Sequence, residues 1–134
     1  MKPVRGVLIA AGLACSAVAT AADFDGSVPL TCTPTAGRDC KPTVACTTLK
    51  SQGKGPVQVR IDFANKAIKT PYRTALLPIQ NSATNDEQLV MQGTDLKFAW
   101  SAIVNRKTGA MTITVADRIG AYVIFGQCKA ADAG

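Results

Sequence analysis

The most reactive side chains in this sequence belong to five cysteines, which are Cys15, Cys32, Cys40, Cys46 and Cys128. Zinc sites take cysteine and histidine ligands at short, regular spacings. No Cys-x-x-Cys pair occurs here, and the chain contains no histidine. We therefore expect neither a metal site nor a cofactor, and the cysteines are better explained as partners in disulfide bonds.

The lack of histidine also removes the commonest general base. Ser-His-Asp and Cys-His catalysis are excluded, and no glycine-rich phosphate loop is present. A pair of carboxylates, as in glycosidases, is the remaining option. The interior candidates are Asp62, Asp86, Glu87 and Asp95. Turn formation and solvation explain these acids more simply, so we predict that the protein is not an enzyme.

The first 22 residues have the order of a cleavable secretory signal. Lys2 and Arg5 form a basic region, residues 7–14 are apolar, and residues 17–22 are mostly small. A transmembrane helix needs roughly 20 apolar residues, more than this stretch supplies. We therefore predict export to the periplasm or beyond, with no transmembrane span.

Cleavage of this signal would leave residues 23–134 as one β domain with four cysteines. An alternative is a lipoprotein anchored through Cys15, because bacterial lipoproteins carry a lipidated cysteine directly after the apolar run. The whole chain carries 15 basic and 9 acidic residues; loss of the two basic residues of the signal leaves 13 against 9, a net charge of +4. The basic residues are scattered and few aromatic residues accompany them, so no nucleic-acid partner is expected.

Four cysteines can pair in three ways. We favour Cys32–Cys128 with Cys40–Cys46, because the first bond would join an opening strand to a closing one. Counted inclusively, it closes a loop of 97 residues. In the chain-entropy model that loop is worth about 4.7 kcal/mol, and the short loop about 2.4 kcal/mol. The alternative pairs Cys32 with Cys46 and Cys40 with Cys128.

Short alternating segments dominate the rest of the chain. Residues 57–63 place Val, Val, Ile and Phe on one face and polar residues on the other, which is typical of a half-buried strand. Residues 89–128 read as a β-meander with a hairpin loop at 105–109, followed by a frayed tail at 129–134. The sequence predicts an all-β fold, a small antiparallel barrel or sandwich of about seven or eight short strands held by two disulfides.

Two segments carry turn signals instead. Residues 34–42 contain Pro34 and Gly37 and are predicted to form a loop after a short first strand. Within residues 71–86, the apolar stretch 76–79 is predicted to be a covering loop or lid, because Pro78 interrupts it, and residues 81–86 are predicted to be a polar loop. The predicted lid would bury its apolar side chains over one end of the sheet.

Six short motifs occur in order along the chain, Phe24–Ser27, Ile61–Phe63, Met91–Gly93, Trp100–Ser101, Thr108–Met111 and Phe125–Cys128. Their arrangement resembles a family of small, exported, uncharacterised proteins of Gram-negative bacteria and covers nearly the whole chain after the signal. The resemblance implies a periplasmic β domain and implies no particular activity.

The function expected from these features is non-catalytic binding of another protein or component of the cell envelope. The residues predicted to form a binding surface are Arg106, Lys107, Leu76, Leu77 and Ile79. One alternative is a lipocalin-like carrier in which the lid closes over a small apolar ligand. A second alternative is a hydrolase that uses two of the four carboxylates named above.

Overall fold

The computed structural model describes residues 23–131; the predicted signal peptide, residues 1–22 with Cys15, and residues 132–134 lie outside this range. The described residues contain strands and no helix, so none of them forms a helix that could cross a bilayer. The strands are β1 (Leu30–Cys40), β2 (Thr47–Thr48), β3 (Val59–Asp62), β4 (Ala67–Lys69), β5 (Leu77–Pro78), β6 (Asn81–Thr84), β7 (Gln88–Asp95), β8 (Phe98–Asn105), β9 (Ala110–Asp117) and β10 (Gly120–Ala130). The predicted all-β fold is confirmed.

One antiparallel sheet holds these strands in the order β5-β4-β3-β1-β10-β9-β8-β7-β6, with β2 paired to β1 outside this path. Strands β7 to β10 form the predicted meander. The first strand lies beside the last, with Leu30 opposite Ala130 and Cys40 opposite Ala121. The sheet curls into a half-barrel, so that β5 contacts β7 although six strands separate them in the sheet.

The segment 77–84 joins the two ends of the curled sheet. Its first part pairs with β4 and continues to Ile79, whose N–H donates to the Lys66 carbonyl at 2.8 Å. Its second part pairs with β7, beginning where the Gln80 N–H donates to the Gln92 carbonyl at 3.0 Å. The Gln80 side chain extends this pairing, because its amide accepts from the Thr94 N–H at 2.8 Å and donates to the Thr94 carbonyl at 3.0 Å.

Both favoured disulfides are present. Cys32 lies directly opposite Cys128 in the β1–β10 pairing, and its bond to Cys128 is buried in the core. Cys40 bonds to Cys46 across the turn between β1 and β2. Disulfides persist in oxidising environments, so they indicate an extracellular or periplasmic location.

Alternate residues of each strand face the inside of the half-barrel, where they form one core. The fully buried side chains include Ile61, Met91 and Ile113, each from a different strand. Trp100, the only tryptophan of the chain, is also buried in this core. Gly93 lies opposite Trp100, and a Cβ atom at Gly93 would approach the Pro78 carbonyl to 2.1 Å. A side chain at Gly93 is therefore excluded, because the segment 77–84 passes over β7 at this point.

The prediction of a loop at residues 34–42 is wrong, because β1 continues to Cys40. A register shift between Pro34 and Ala36 lets the strand accommodate a proline that cannot donate a ladder hydrogen bond. Gly37 has a packing role within the strand. A Cβ atom at this position would lie 3.0 Å from Leu49 Cβ, so the lack of a side chain makes room for Leu49.

The prediction of loops at residues 76–79 and 81–86 is also wrong, because these stretches contain β5 and β6, although Leu77 is buried as expected of the covering segment. Each of these strands is too short to show a clear alternation, and each acquires its partners from distant parts of the chain. The prediction of a frayed tail is wrong for Lys129 and Ala130, which belong to β10. Leu96, which the alternation of β8 would place in the core, lies in a turn and is fully exposed.

Candidate anion-binding pocket

Arg106, predicted as a binding contact, is occupied by contacts within the chain. Its Nε donates to Asp23 Oδ1 at 2.9 Å and its Nη2 to Asp23 Oδ2 at 2.5 Å, while its Nη1 donates to the Asn85 carbonyl at 2.7 Å. The hydrogen bonds to Asp23 raise the pKa of Arg106. The side chain therefore fastens the start of the described chain to the β8–β9 hairpin.

The other four residues predicted to form a binding surface do not lie together. Lys107 is exposed at the tip of the β8–β9 hairpin, and Leu76 is exposed before β5. Ile79 is half-buried in a groove of ≈ 260 Å³ that Asp25 also lines. The assignment of Leu77 to a binding surface is wrong, because its side chain is fully buried in the core. Leu77 lies opposite Ile68 of β4, and both side chains face inward.

A different arginine, Arg73, lies at the end of the half-barrel where β8 begins. Its guanidinium carbon is 4.0 Å from the centroid of the Phe98 ring, the first residue of β8. No carboxylate of the described residues lies within 4.0 Å of it, and its buried Nε has no acceptor among them. Stacking on an aromatic ring holds a guanidinium in a fixed plane without neutralising its charge.

Arg73 lines a pocket of ≈ 310 Å³ together with Gln52, Tyr72 and Tyr122. Tyr72 is buried in the core and Tyr122 packs against it, so these aromatic side chains form the apolar wall. Gln52 and Thr74 add polar groups at the exposed side. The pocket thus combines one cation, aromatic surface and neutral polar groups, as small-ligand sites commonly do.

Three buried side-chain polar atoms in the described residues lack a hydrogen-bond partner: Arg73 Nε, Trp100 Nε1 and Tyr122 Oη. Buried polar groups without a partner are uncommon in folded proteins. All three of these groups can donate a hydrogen bond, and two of them can only donate. Two of the three residues, Arg73 and Tyr122, line one pocket, where their donors suit an acceptor such as an oxyanion.

The three groups do not converge on one point. Tyr122 lies opposite Val115, and Val115 lies opposite Trp100, so Val115 separates the two side chains in one row across β10, β9 and β8. Trp100 Nε1 lies beside Gly93 on β7, on the side of β8 that faces away from Tyr122. Arg73 and Tyr122 line the same pocket, and we call these two residues the donor pair.

Burial raises the pKa of Tyr122, although the nearby guanidinium of Arg73 acts in the opposite direction. Asp117 contributes a smaller effect that also raises this pKa. Because an unperturbed tyrosine titrates near pH 10, the phenol stays protonated at neutral pH and remains a donor. The Asp117 carboxylate itself accepts from the backbone N–H groups of Ile119 and Gly120.

The four candidate carboxylates do not form one site. Asp86 and Glu87 precede β7, whereas Asp95 ends it, so the eight residues of this strand separate them by about 24 Å. Asp62 accepts from the Asn65 N–H at 3.0 Å and from its side-chain amide at 2.7 Å, which stabilises the β3–β4 turn. Among residues 23–131 no group of three or more histidine, cysteine or acidic side chains is arranged to hold a metal ion.

Sequence reasoning did not single out Arg73. The residue lies just before the stretch 76–79 that was predicted to cover the sheet, and nothing in its local sequence shows that its Nε lacks an acceptor. Its proximity to Tyr122 and Phe98 depends on long-range pairing that brings residues 72–75 to the start of β8. Comparison with protein-family models, with curated proteins and with solved structures finds no match to this chain.

Proposed function

We propose that the protein is a non-catalytic binding protein of the periplasm that holds a small carboxylate or phosphate ligand in the Arg73 pocket. The observation that carries this proposal is the state of Arg73, a guanidinium stacked on Phe98 without a carboxylate partner at the wall of an open pocket. The periplasmic location is supported by the two disulfides and by the predicted signal at residues 1–22.

Partial burial of an unpaired cation costs free energy because water is removed from the charge. An anionic ligand would offset this cost, since a guanidinium binds carboxylate or phosphate through charge-assisted, often bidentate, hydrogen bonds. Tyr122 could add a neutral donor beside it. The stacking of Arg73 on Phe98 limits the side-chain motion that would otherwise be lost on binding.

Binding without catalysis fits the residues at this end of the half-barrel. The donor pair consists of an arginine and a protonated phenol, and neither of these is a base at neutral pH. A lipocalin-like carrier of an apolar ligand has less support, because fully buried side chains such as Ile61 and Met91 occupy the inside of the half-barrel.

The test is a titration of the oxidised, exported protein with sodium acetate and with inorganic phosphate, followed by ¹H–¹⁵N NMR. We expect at least one probe to shift the signals of Arg73 and its neighbours at millimolar concentrations. The variant R73Q should weaken this binding at least tenfold, because it removes the charge. Y122F should weaken it less, because the aromatic wall remains.

The matched control is R60Q, which removes an exposed positive charge from β3. This variant should bind like the parent protein, which would exclude a general effect of net charge. Binding that R73Q and R60Q weaken equally would contradict the proposal, as would the absence of shifts with both probes. Circular dichroism of each variant checks that the fold is retained.

A further inference from the structure

Sixteen outward positions of the β7–β10 meander, four on each strand, form a patch without charged residues, which we call the neutral face. These positions are Gln88, Val90, Gln92, Thr94, Ala99, Ser101, Ile103, Asn105, Ala110, Thr112, Thr114, Ala116, Ala121, Val123, Phe125 and Gln127. Charged residues make up 18% of the chain, so about three of these positions would be charged at the average composition. The next outward residue of β10, Lys129, lies beyond Gln127 at the border of this patch.

The charges nearest to this face lie at its rim. Asp95 and Lys97 are at the β7–β8 turn, and Asp117 and Arg118 are at the β9–β10 turn. Arg38, opposite Val123, lies beside the face on β1. The outer surface of a solvated sheet usually carries charged side chains, so a neutral centre with a charged rim is typical of an interface.

The neutral face has a ridge and a trough that run across the strands. The ridge is the row Val90, Ile103, Thr112 and Phe125, in which Ile103 is 40% and Phe125 is 45% exposed. The trough is the row Thr94, Ala99, Ala116 and Ala121, made of small side chains.

Between ridge and trough runs a middle row, Gln92, Ser101, Thr114 and Val123. The ridge and the trough each lie two residues from it along the strands, on opposite sides. At its centre the Ser101 and Thr114 hydroxyls hydrogen-bond to each other at 2.8 Å.

We infer that the neutral face docks a second copy of this chain. A twofold axis that runs across the strands above the middle row reverses the strand direction and exchanges the two sides of this row. The ridge of each copy then lies over the trough of the other, and the strands of the two sheets remain aligned. One hydroxyl of the Ser101–Thr114 pair donates to the other, and the remaining O–H of each pair can donate to the hydroxyls of the second copy across the axis.

Charge favours a second copy over an anionic partner. Without the predicted signal the chain carries 13 basic and 9 acidic residues, a net charge of +4, so two copies repel each other except where they meet through uncharged surface. An anionic polymer or membrane would instead be attracted to basic side chains, which this face lacks. The neutral face is therefore a surface through which like-charged copies can approach.

The size of the face limits the strength of this contact. Four strands spaced by about 4.8 Å and seven residues at about 3.4 Å each give an area near 450 Å² per copy. Stable interfaces bury about 800 Å² per partner. We therefore expect a weak dimer that forms with rising protein concentration.

Sedimentation velocity of the oxidised protein from about 10 μM to about 1 mM tests this inference, since transient interfaces fall in this affinity range. We expect the average mass to rise towards twice that of the monomer. The variant I103K/F125K should remain monomeric over the whole range, because it places two positive charges on each ridge.

The control is V28K/V57K, which adds the same charge at two apolar residues that are 44% and 43% exposed and lie outside the neutral face. This variant should self-associate like the parent protein. A parent protein that is monomeric at all concentrations would overturn the inference, as would equal loss of the dimer in both variants. The pocket titration is independent of this result, because Arg73 lies inside the half-barrel end and not on the neutral face.

Discussion

Removal of the Cys32–Cys128 disulfide should destabilise the protein far more than removal of Cys40–Cys46. The perturbation is the double variant C32A/C128A, compared with C40A/C46A in the same exported protein. The first bond is separated by 96 residues in sequence and the second by 6. The two variants therefore differ mainly in the length of the loop that is released.

The chain-entropy model gives about 4.7 kcal/mol for the long loop and about 2.4 kcal/mol for the short one. Cys32 and Cys128 are also buried in the core, so alanine leaves a cavity that adds to the loss. Cys46 is exposed and adds no comparable cost. The expected difference between the variants is thus at least about 2 kcal/mol. Domains of this size have a total stability of about 5–15 kcal/mol, so C32A/C128A could be partly unfolded without denaturant.

Urea unfolding followed by the fluorescence of Trp100 measures both free energies, because this single, buried tryptophan reports on the core. If C32A/C128A is already unfolded, the same measurement in a stabilising osmolyte recovers its transition. Equal losses in the two variants, or a larger loss in C40A/C46A, would refute the loop-length argument.

Three further predictions concern the segment 77–84 and the β3–β4 turn. G93A should lose about 1–3 kcal/mol in urea unfolding because its Cβ would overlap the Pro78 carbonyl; G55A, with open space around it, is the control and should stay near the parent value. Q80A should increase hydrogen exchange at the β7 amide that donates to this side chain, and unchanged protection would contradict the pairing described above. The hydrogen bonds from Asn65 lower the pKa of Asp62, so they stabilise the fold at neutral pH and this contribution is lost as the pH falls through the lowered pKa. In N65A an NMR titration should find the Asp62 pKa raised towards its ordinary value.

The meander could be predicted from alternation within each strand, and the disulfide pairing from the small number of ways in which four cysteines can pair. The alternation of Met111, Ile113 and Val115 identifies an inward face without knowledge of any partner strand. Four cysteines remain after loss of the predicted signal, and they can pair in only three ways. The pairing of the first with the last, Cys32 with Cys128, suits a sheet that curls. These features do not depend on which strand lies beside which.

The rest depends on contacts between distant residues. Arg106 looked free in the sequence because Asp23, which accepts two of its hydrogen bonds, is 83 residues away. Arg73 was overlooked because its Nε has no acceptor only in the folded chain, which the sequence does not show. Residues 77–84 resembled a loop because each half pairs with a different end of the sheet.

The pairing of β1 with β10 has a consequence for how the chain acquires its structure. The longest ladder of β1 is formed with β10, which follows the other nine described strands along the chain. Until β10 is available, most of β1 has no neighbour and Cys32 has no native partner. The native sheet therefore cannot close before β10 is made, and the dominance of contacts between distant residues predicts slow folding, on a millisecond to second scale. A chain that stays open this long is well suited to transport across a membrane in an extended form.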